Sequence, residues 1–244
     1  MNKIKDLTEL IDSKNGYVAY VIAHGPSLKK FLDKIKFNSK DNIIISCNDV
    51  DKITEFEPNY WVFANSIQTV QTMTERFEKF PNSIIVHADS VDTTPRSWIE
   101  QNINNEYVGY DQRHFENKKC HGCPNGCANL IEGRKTIQEI LIDYSGYNKR
   151  YSAGHTVAIH MFSLAVLLGC KKIYLFGIDL DYSLGYADGK TQSSNPLEFG
   201  PYLPEILTDF EKVYESAKMK NIEVFNMSDI SPLKNIIPTI DKLP

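Results

Sequence analysis

A chain of 244 residues, 42% of them hydrophobic and 11% aromatic, is long enough for one large α/β domain around a packed core. The net charge of −4 and the scattered Lys and Arg exclude whole-chain attraction to nucleic acid or to an anionic membrane. Five cysteines, an odd count, with no apolar leader in MNKIKDLTELIDSKNG, argue against a secreted disulfide scaffold.

Residues 3–12 are predicted to form a short helix. YVAYVIA, from Tyr17 to Ala23, reads as a buried strand, followed at once by HGPSL and a helical pattern through Phe31 and Ile35. NIIISC, Asn42 to Cys47, is a second strand ending at Asn48-Asp49, and YWVFA, Tyr60 to Ala64, a third ending at Asn65-Ser66. A helix is predicted over Ile67 to Phe80 and a fourth strand over Ser83 to Val86. Apolar strands alternating with helices predict a mostly parallel, Rossmann-like sheet with helices on both faces. From 89 to 147 the chain turns polar and carries three clustered cysteines, so it reads as an insertion or lid with a helix over Lys135 to Tyr144. RYSAGHTVAIHMFSLAVLLGCKKIYLFGIDLDY then gives a small-residue turn, an apolar helix stopped by Gly169, a buried strand and two acids. Residues 183–204 form a Gly-, Ser- and Pro-rich loop, a length that points to a second lid. A charged helix (Glu205 to Lys220) and a last strand (Glu223 to Phe225) complete a single domain.

In an open parallel sheet, ligands bind outside the carboxyl ends of the strands, and the candidate chemistry falls there. In HGPSL, Gly25 permits close backbone approach, Pro26 suits a first helical turn, and Ser27 can cap the turn or face an anion. The turn is neither a G-x-G-x-x-G fingerprint nor a Gly-Lys-Ser/Thr phosphate loop, so NAD or FAD binding is not expected. Asn48, Asn65 and Ser66 each serve as turn formers, but their repetition at successive strand ends favours a nucleotide-sized site. Ser152, Ala153 and Gly154 leave room for a ligand at a helix start, and His155 in the first turn is a weak catalytic candidate beside a more ordinary structural role. Asp179 and Asp181 form an Asp-x-Asp pair that could hold Mg²⁺ or Mn²⁺ against phosphates, or could simply cap a turn; both are also weak catalytic candidates. Cys120, Cys123 and Cys127 give C-x2-C-x3-C, which with His114 or His121 suits structural zinc, the alternative being free loop thiols.

GPSL after the first strand, SCN after the second, an Asn after the third, RYSAG before a helix, LGCKKIYLFGID and the terminal VFN-x-S together resemble the bacterial CMP-sialic acid-dependent sialyltransferases. The same skeleton is similar to the group containing motility accessory factor glycosyltransferases and 6-hydroxymethylpterin pyrophosphokinases. The resemblance spans roughly residues 17–90 and 147–235. It implies a Rossmann-like domain with Gly25, Pro26 and Ser27 under a cytidine nucleotide-sugar, Asn48 and Asn65 beside the ribose and phosphate, and residues 152–154 at the sugar carboxylate and base. It implies tyrosines after GID at the leaving phosphate; here Asp181 follows GIDL directly, with Tyr182 and Tyr186 as near matches. It also implies a lid histidine as general base, yet no histidine follows His160.

These readings lead to a nucleotide-sugar-dependent glycosyltransferase of cell-surface glycan assembly, taking a glycan or small-molecule acceptor. A magnesium-ATP-dependent pterin pyrophosphokinase-like enzyme is the alternative, and a non-catalytic nucleotide-binding protein a third. A cytoplasmic protein is expected, with peripheral attachment to the inner face of the membrane compatible and homo-oligomerisation open. No stretch reaches the roughly 18 uninterrupted apolar residues that span a bilayer.

Overall fold

The computed structural model describes residues 4–33, 35, 40–64, 71–88, 96–110, 137, 139–141, 156–189 and 203–242. Its centre is an eight-stranded sheet: β1 (Ile4–Lys5), β2 (Val18–Ile22), β3 (Asn42–Cys47), β4 (Tyr60–Phe63), β5 (Ile84–Ala88), β6 (Tyr107–Tyr110), β7 (Lys172–Phe176) and β8 (Glu223–Asn226). Every pairing is parallel, and the spatial order is β1-β6-β5-β4-β3-β2-β7-β8. From β2 the chain runs outward through β3, β4, β5 and β6, then returns to lay β7 on the other side of β2. The strand order therefore reverses between β2 and β7, and the carboxyl ends of these two strands define the crevice of the fold.

Alternation along each strand sends successive side chains to opposite faces. On one face Ala19, Val21, Ile43, Ile45, Tyr60, Val62, Val86, Val108, Ile173 and Leu175 pack into a single core. That core is covered by α4 (Val157–Leu167) and α5 (Leu203–Met219). On the other face, Trp61, Phe63, Ile85 and Tyr107 form one cluster with Phe77 and Phe80, while Ile22, Ile44, Tyr174 and Phe176 form another with Leu28 and Phe31. Burial of both faces is why the strands read as near-continuous apolar runs. The helix α4 is buried on almost every side because it lies between the sheet and α5. Among the described residues no helix is long and apolar enough to cross a membrane.

Several sequence expectations change. Residues 4–10 are not a helix. Ile4–Lys5 is an edge strand on β6, and Asp6 starts the 3-10 turn Leu7–Leu10 through a capping box with Glu9. The helix expected after HGPSL is a 3-10 turn, Pro26–Lys30. The polar segment from residue 89 contains part of the sheet: α3 (Arg96–Asn102) leads into β6, which pairs with β5 and β1. The four residues YVGY lie between Asn-rich stretches, and their alternation is too short to stand out. Ile137, Ile140 and Leu141, within the helix predicted over 135–144, are buried in the main core. Helix α4 begins at the N-cap Thr156, later than Ser152, and Gly169 beyond its end adopts φ +78° as expected. Two shorter helices, α1 (Val50–Ile53) and α2 (Thr74–Phe77), follow β3 and β4.

Candidate functional site

The crevice is built where β2 and β7 end. Their parallel ladder continues past the strands, with Ala23 N–H donating to Phe176 O (2.9 Å) and Gly25 N–H to Gly177 O (2.8 Å). This brings the HGPSL turn against the GID turn. A Cβ on Gly25 would lie 2.4 Å from Asp179 Oδ2 and 2.6 Å from Gly177 O, so no larger residue fits between the two turns. Gly177 itself has φ +62°.

Asp179 is buried at the centre of this contact. Ser27 N–H donates to its Oδ2 (2.9 Å) and Ser27 Oγ to its Oδ1 (2.5 Å). Ser228 Oγ, just beyond β8, donates to Oδ1 as well (2.5 Å). Ser228 is held in turn by Asn226, whose side chain accepts from Ser228 N–H (3.1 Å) and donates to Ser228 O (2.7 Å). One carboxylate thus ties together the ends of β2, β7 and β8. The sequence reading offered Ser27 to an anion; both of its donors go to Asp179 instead. Ser228 was not singled out as a site residue, although VFN-x-S carried its signal.

Asp181 is exposed and caps the 3-10 turn Tyr182–Leu184, its Oδ1 accepting from Ser183 N–H (3.0 Å) and Ser183 Oγ (2.5 Å). The Asp-x-Asp pair diverges, one acid going inward and one to a surface cap. Asp179 has both oxygens engaged by Ser27 and Ser228, and Asp181 accepts from its own turn through Oδ1. Among the described residues no group of three or more His, Cys, Asp or Glu could hold a metal ion.

At the end of β3, Asn48 takes a left-handed backbone conformation, φ 42°. Its carbonyl accepts from Trp61 Nε1 (3.0 Å) and Arg76 Nη2 (3.4 Å), which fixes that conformation from outside. Among the described residues its buried Oδ1 has no hydrogen-bond partner, a cost that a ligand donor would remove. Arg76 is anchored by Asp51, accepting at Oδ2 from Nε (2.8 Å) and closely paired at Oδ1, and by Asp49 Oδ1 (2.9 Å). Burial would raise the Asp49 carboxyl, but Lys52 and Arg76 outweigh it and hold the group below its usual range. Asn48 was expected at the site; the Arg76 clamp behind it was not, since no local signal links positions 48 and 76.

His24 completes the described wall. Its Nε2 lies 2.8 Å from Cys47 O at the end of β3. Its backbone carbonyl accepts from Ala187 N–H (2.7 Å), so the chain after β7 folds back over β2. Tyr186, expected near the phosphate, meets the imidazole edge-on at 6.4 Å between centroids. Burial lowers the pKa of His24, opposed by the Cys47 carbonyl and by Asp49, Asp188 and Asp51. Burial also pushes the Cys47 thiol far above its usual value, which keeps it protonated.

The profile of the 6-hydroxymethylpterin diphosphokinase MptE-like family matches residues 1–185. The chain belongs to that family. As a member of the MptE-like family it shares its fold with solved sialyltransferases. Sialyltransferase CstII from Campylobacter jejuni, in complex with the substrate analogue CMP-3FNeuAc, superposes with a TM-score of 0.51 and 17% identity, covering 91% of this chain and 85% of that one. The sialyltransferase CST-II in complex with a trisaccharide acceptor and CMP gives a TM-score of 0.50 and 18% identity, with 91% and 85% covered. At these identities the likeness is one of fold. No curated protein sequence matches the chain significantly.

The described residues bring together Gly25, Pro26, Ser27, Asn48, Asp179 and Tyr186 at the carboxyl edge of β2, β3 and β7. Asn65, Ser66, Ser152, Ala153, Gly154 and His155 lie outside the described residues, as do His114, Cys120, His121, Cys123, Cys127 and the side chain of Tyr182.

Proposed function

We propose that this MptE-like protein is a transferase that binds a nucleotide at the carboxyl ends of β2, β3 and β7. We propose further that it moves a sugar from a CMP-linked donor to a hydroxyl acceptor. The observation that carries this choice is the closed Asp179 carboxylate. With the Asp179 oxygens bonded to Ser27 and Ser228, and Asp181 Oδ1 bonded to Ser183, this reading gives the Asp-x-Asp pair a structural role. Departure of a nucleoside monophosphate needs hydrogen-bond donors at one phosphate, whereas transfer of a diphosphate from ATP leans on a metal bridging several phosphate oxygens. The buried Asn48 Oδ1, without a partner among the described residues, adds a place for a nucleotide donor group, and the solved proteins of the same fold carry CMP, a CMP-linked analogue and a glycan acceptor.

The family match supports a second reading, magnesium-dependent diphosphate transfer from ATP to a pterin alcohol. Thermal denaturation with CMP, ADP and ATP, each with Mg²⁺ or with EDTA, separates the two. A ligand at 100 times its Kd stabilises the native state by about 2.7 kcal/mol. The CMP-donor reading expects stabilisation by CMP that is the same in EDTA. Stabilisation by ATP alone, and only with Mg²⁺, would establish the diphosphokinase instead. CMP binding without CMP release from a CMP-sugar would leave a nucleotide-binding protein. Structural zinc at Cys120, Cys123, Cys127 and His114 remains a proposal, tested by metal analysis of the protein and of Cys123→Ser.

A further inference from the structure

The lid histidine that the sialyltransferase resemblance implies has no counterpart in the sequence, and the structure offers a different one. We propose that His24 accepts the proton of the attacking hydroxyl through Nδ1. The inference rests on the CMP-donor reading above.

The argument begins with the tautomer. Cys47 O can only accept, so Nε2 carries the hydrogen, and Nδ1 holds the lone pair. Among the described residues no hydrogen bond occupies Nδ1. The ring is set in place by the Cys47 carbonyl on one side and the Tyr186 ring on the other. Its own carbonyl is pinned by Ala187 N–H. The residue is half-buried and sits where β2 ends, at the reversal of strand order where ligands of such sheets bind.

The electrostatics suit a group that begins neutral and ends charged. Burial favours the neutral ring before reaction, while Asp49, Asp51 and Asp188 favour the imidazolium once the proton has arrived. The other titratable groups beside the ring are Tyr186 and the Cys47 thiol, 3.9 Å from Nε2 and held protonated by burial. In the step itself the acceptor O–H bond breaks and its proton passes to Nδ1. The oxygen electron pair forms the new bond to the anomeric carbon. The bond from that carbon to the phosphate oxygen breaks, and its electron pair leaves with CMP.

The test is CMP release from CMP-N-acetylneuraminate, with water as the acceptor, between pH 5 and 8 for the wild type and for His24→Gln. A glutamine amide can still donate to Cys47 O from the Nε2 position but offers no base. The expected result is a variant that CMP still stabilises, with a turnover at least about 100-fold lower and loss of the acid limb of the pH profile. A variant that keeps both rate and acid limb overturns the inference while the CMP-donor reading stands. Wild-type protein that releases no CMP overturns the donor reading, and the inference with it. Nitrogen-15 histidine spectra of the wild type supply a readout independent of activity. A His24 ring protonated at Nδ1 and bare at Nε2 would overturn the assignment even if the variant failed to fold.

Discussion

Ser27 and Asp179, 152 positions apart, are joined twice: the serine amide donates to one carboxylate oxygen at 2.9 Å and the hydroxyl to the other at 2.5 Å. With Ser228 on the same carboxylate, this contact fixes the ends of β2, β7 and β8 relative to one another. Asp179→Asn keeps the volume but places an amide hydrogen or a poorer acceptor before three donors. The expected loss of stability is about 2 kcal/mol by urea denaturation. Ser228→Ala should cost about 1 kcal/mol in the wild type and much less in the Asp179→Asn background, because both changes break one network.

Gly25→Ala tests the close approach of the two turns. The added methyl would sit 2.4 Å from Asp179 Oδ2, an oxygen already held by Ser27, and 2.6 Å from a backbone carbonyl. Neither neighbour is the free end of a flexible chain. A loss of about 2–4 kcal/mol is expected, with loss of the stabilisation by CMP. A variant as stable and as responsive as the wild type would contradict the geometry.

Arg76→Met removes the clamp on the Asn48 carbonyl and leaves Asp51, with only 9% of its side chain exposed, without its partner. The expected cost is about 1–3 kcal/mol at low salt, most of it from Asp51, since Asp49 is half exposed. The Asp49 carboxyl lies below its usual value, so its share of stability is present above the ordinary carboxylate range and is lost as pH falls through the native value. Acid unfolding of Arg76→Met should therefore begin at a higher pH than in the wild type.

His24 contributes to stability with a definite sign. Its pKa is lowered in the folded protein, so between the native value and the ordinary value of about 6.5 the unfolded chain binds more protons. Stability then rises with pH across that window. Urea denaturation at intervals from pH 5 to 7.5 should show a shallower rise for His24→Asn than for the wild type.

Cys47 and Cys170 are free thiols buried in the main core, and burial pushes the Cys170 thiol up to about 12. Only the thiolate reacts readily with alkylating agents. Iodoacetamide applied to the native protein at pH 8 should leave both unmodified by mass spectrometry, and both should label once the protein is unfolded in guanidinium.

The parallel sheet was legible because its cause is local. NIIISC and KIYLF are apolar at successive positions only if both faces are buried, and both strands appear where the pattern puts them. HGPSL and GID were likewise readable as turns at strand ends. The short β6, the edge strand β1 and the 3-10 form of residues 26–30 were not, because two to five residues carry too little periodicity to be distinguished from loop. What the tertiary structure alone decided is how the polar residues are used. The direction of Asp179 toward Ser27 and Ser228, the Arg76 clamp on Asn48 and the Nε2 bond of His24 to Cys47 each join residues brought together by strand order. That order follows from packing the whole sheet between its helices, and no local pattern encodes it.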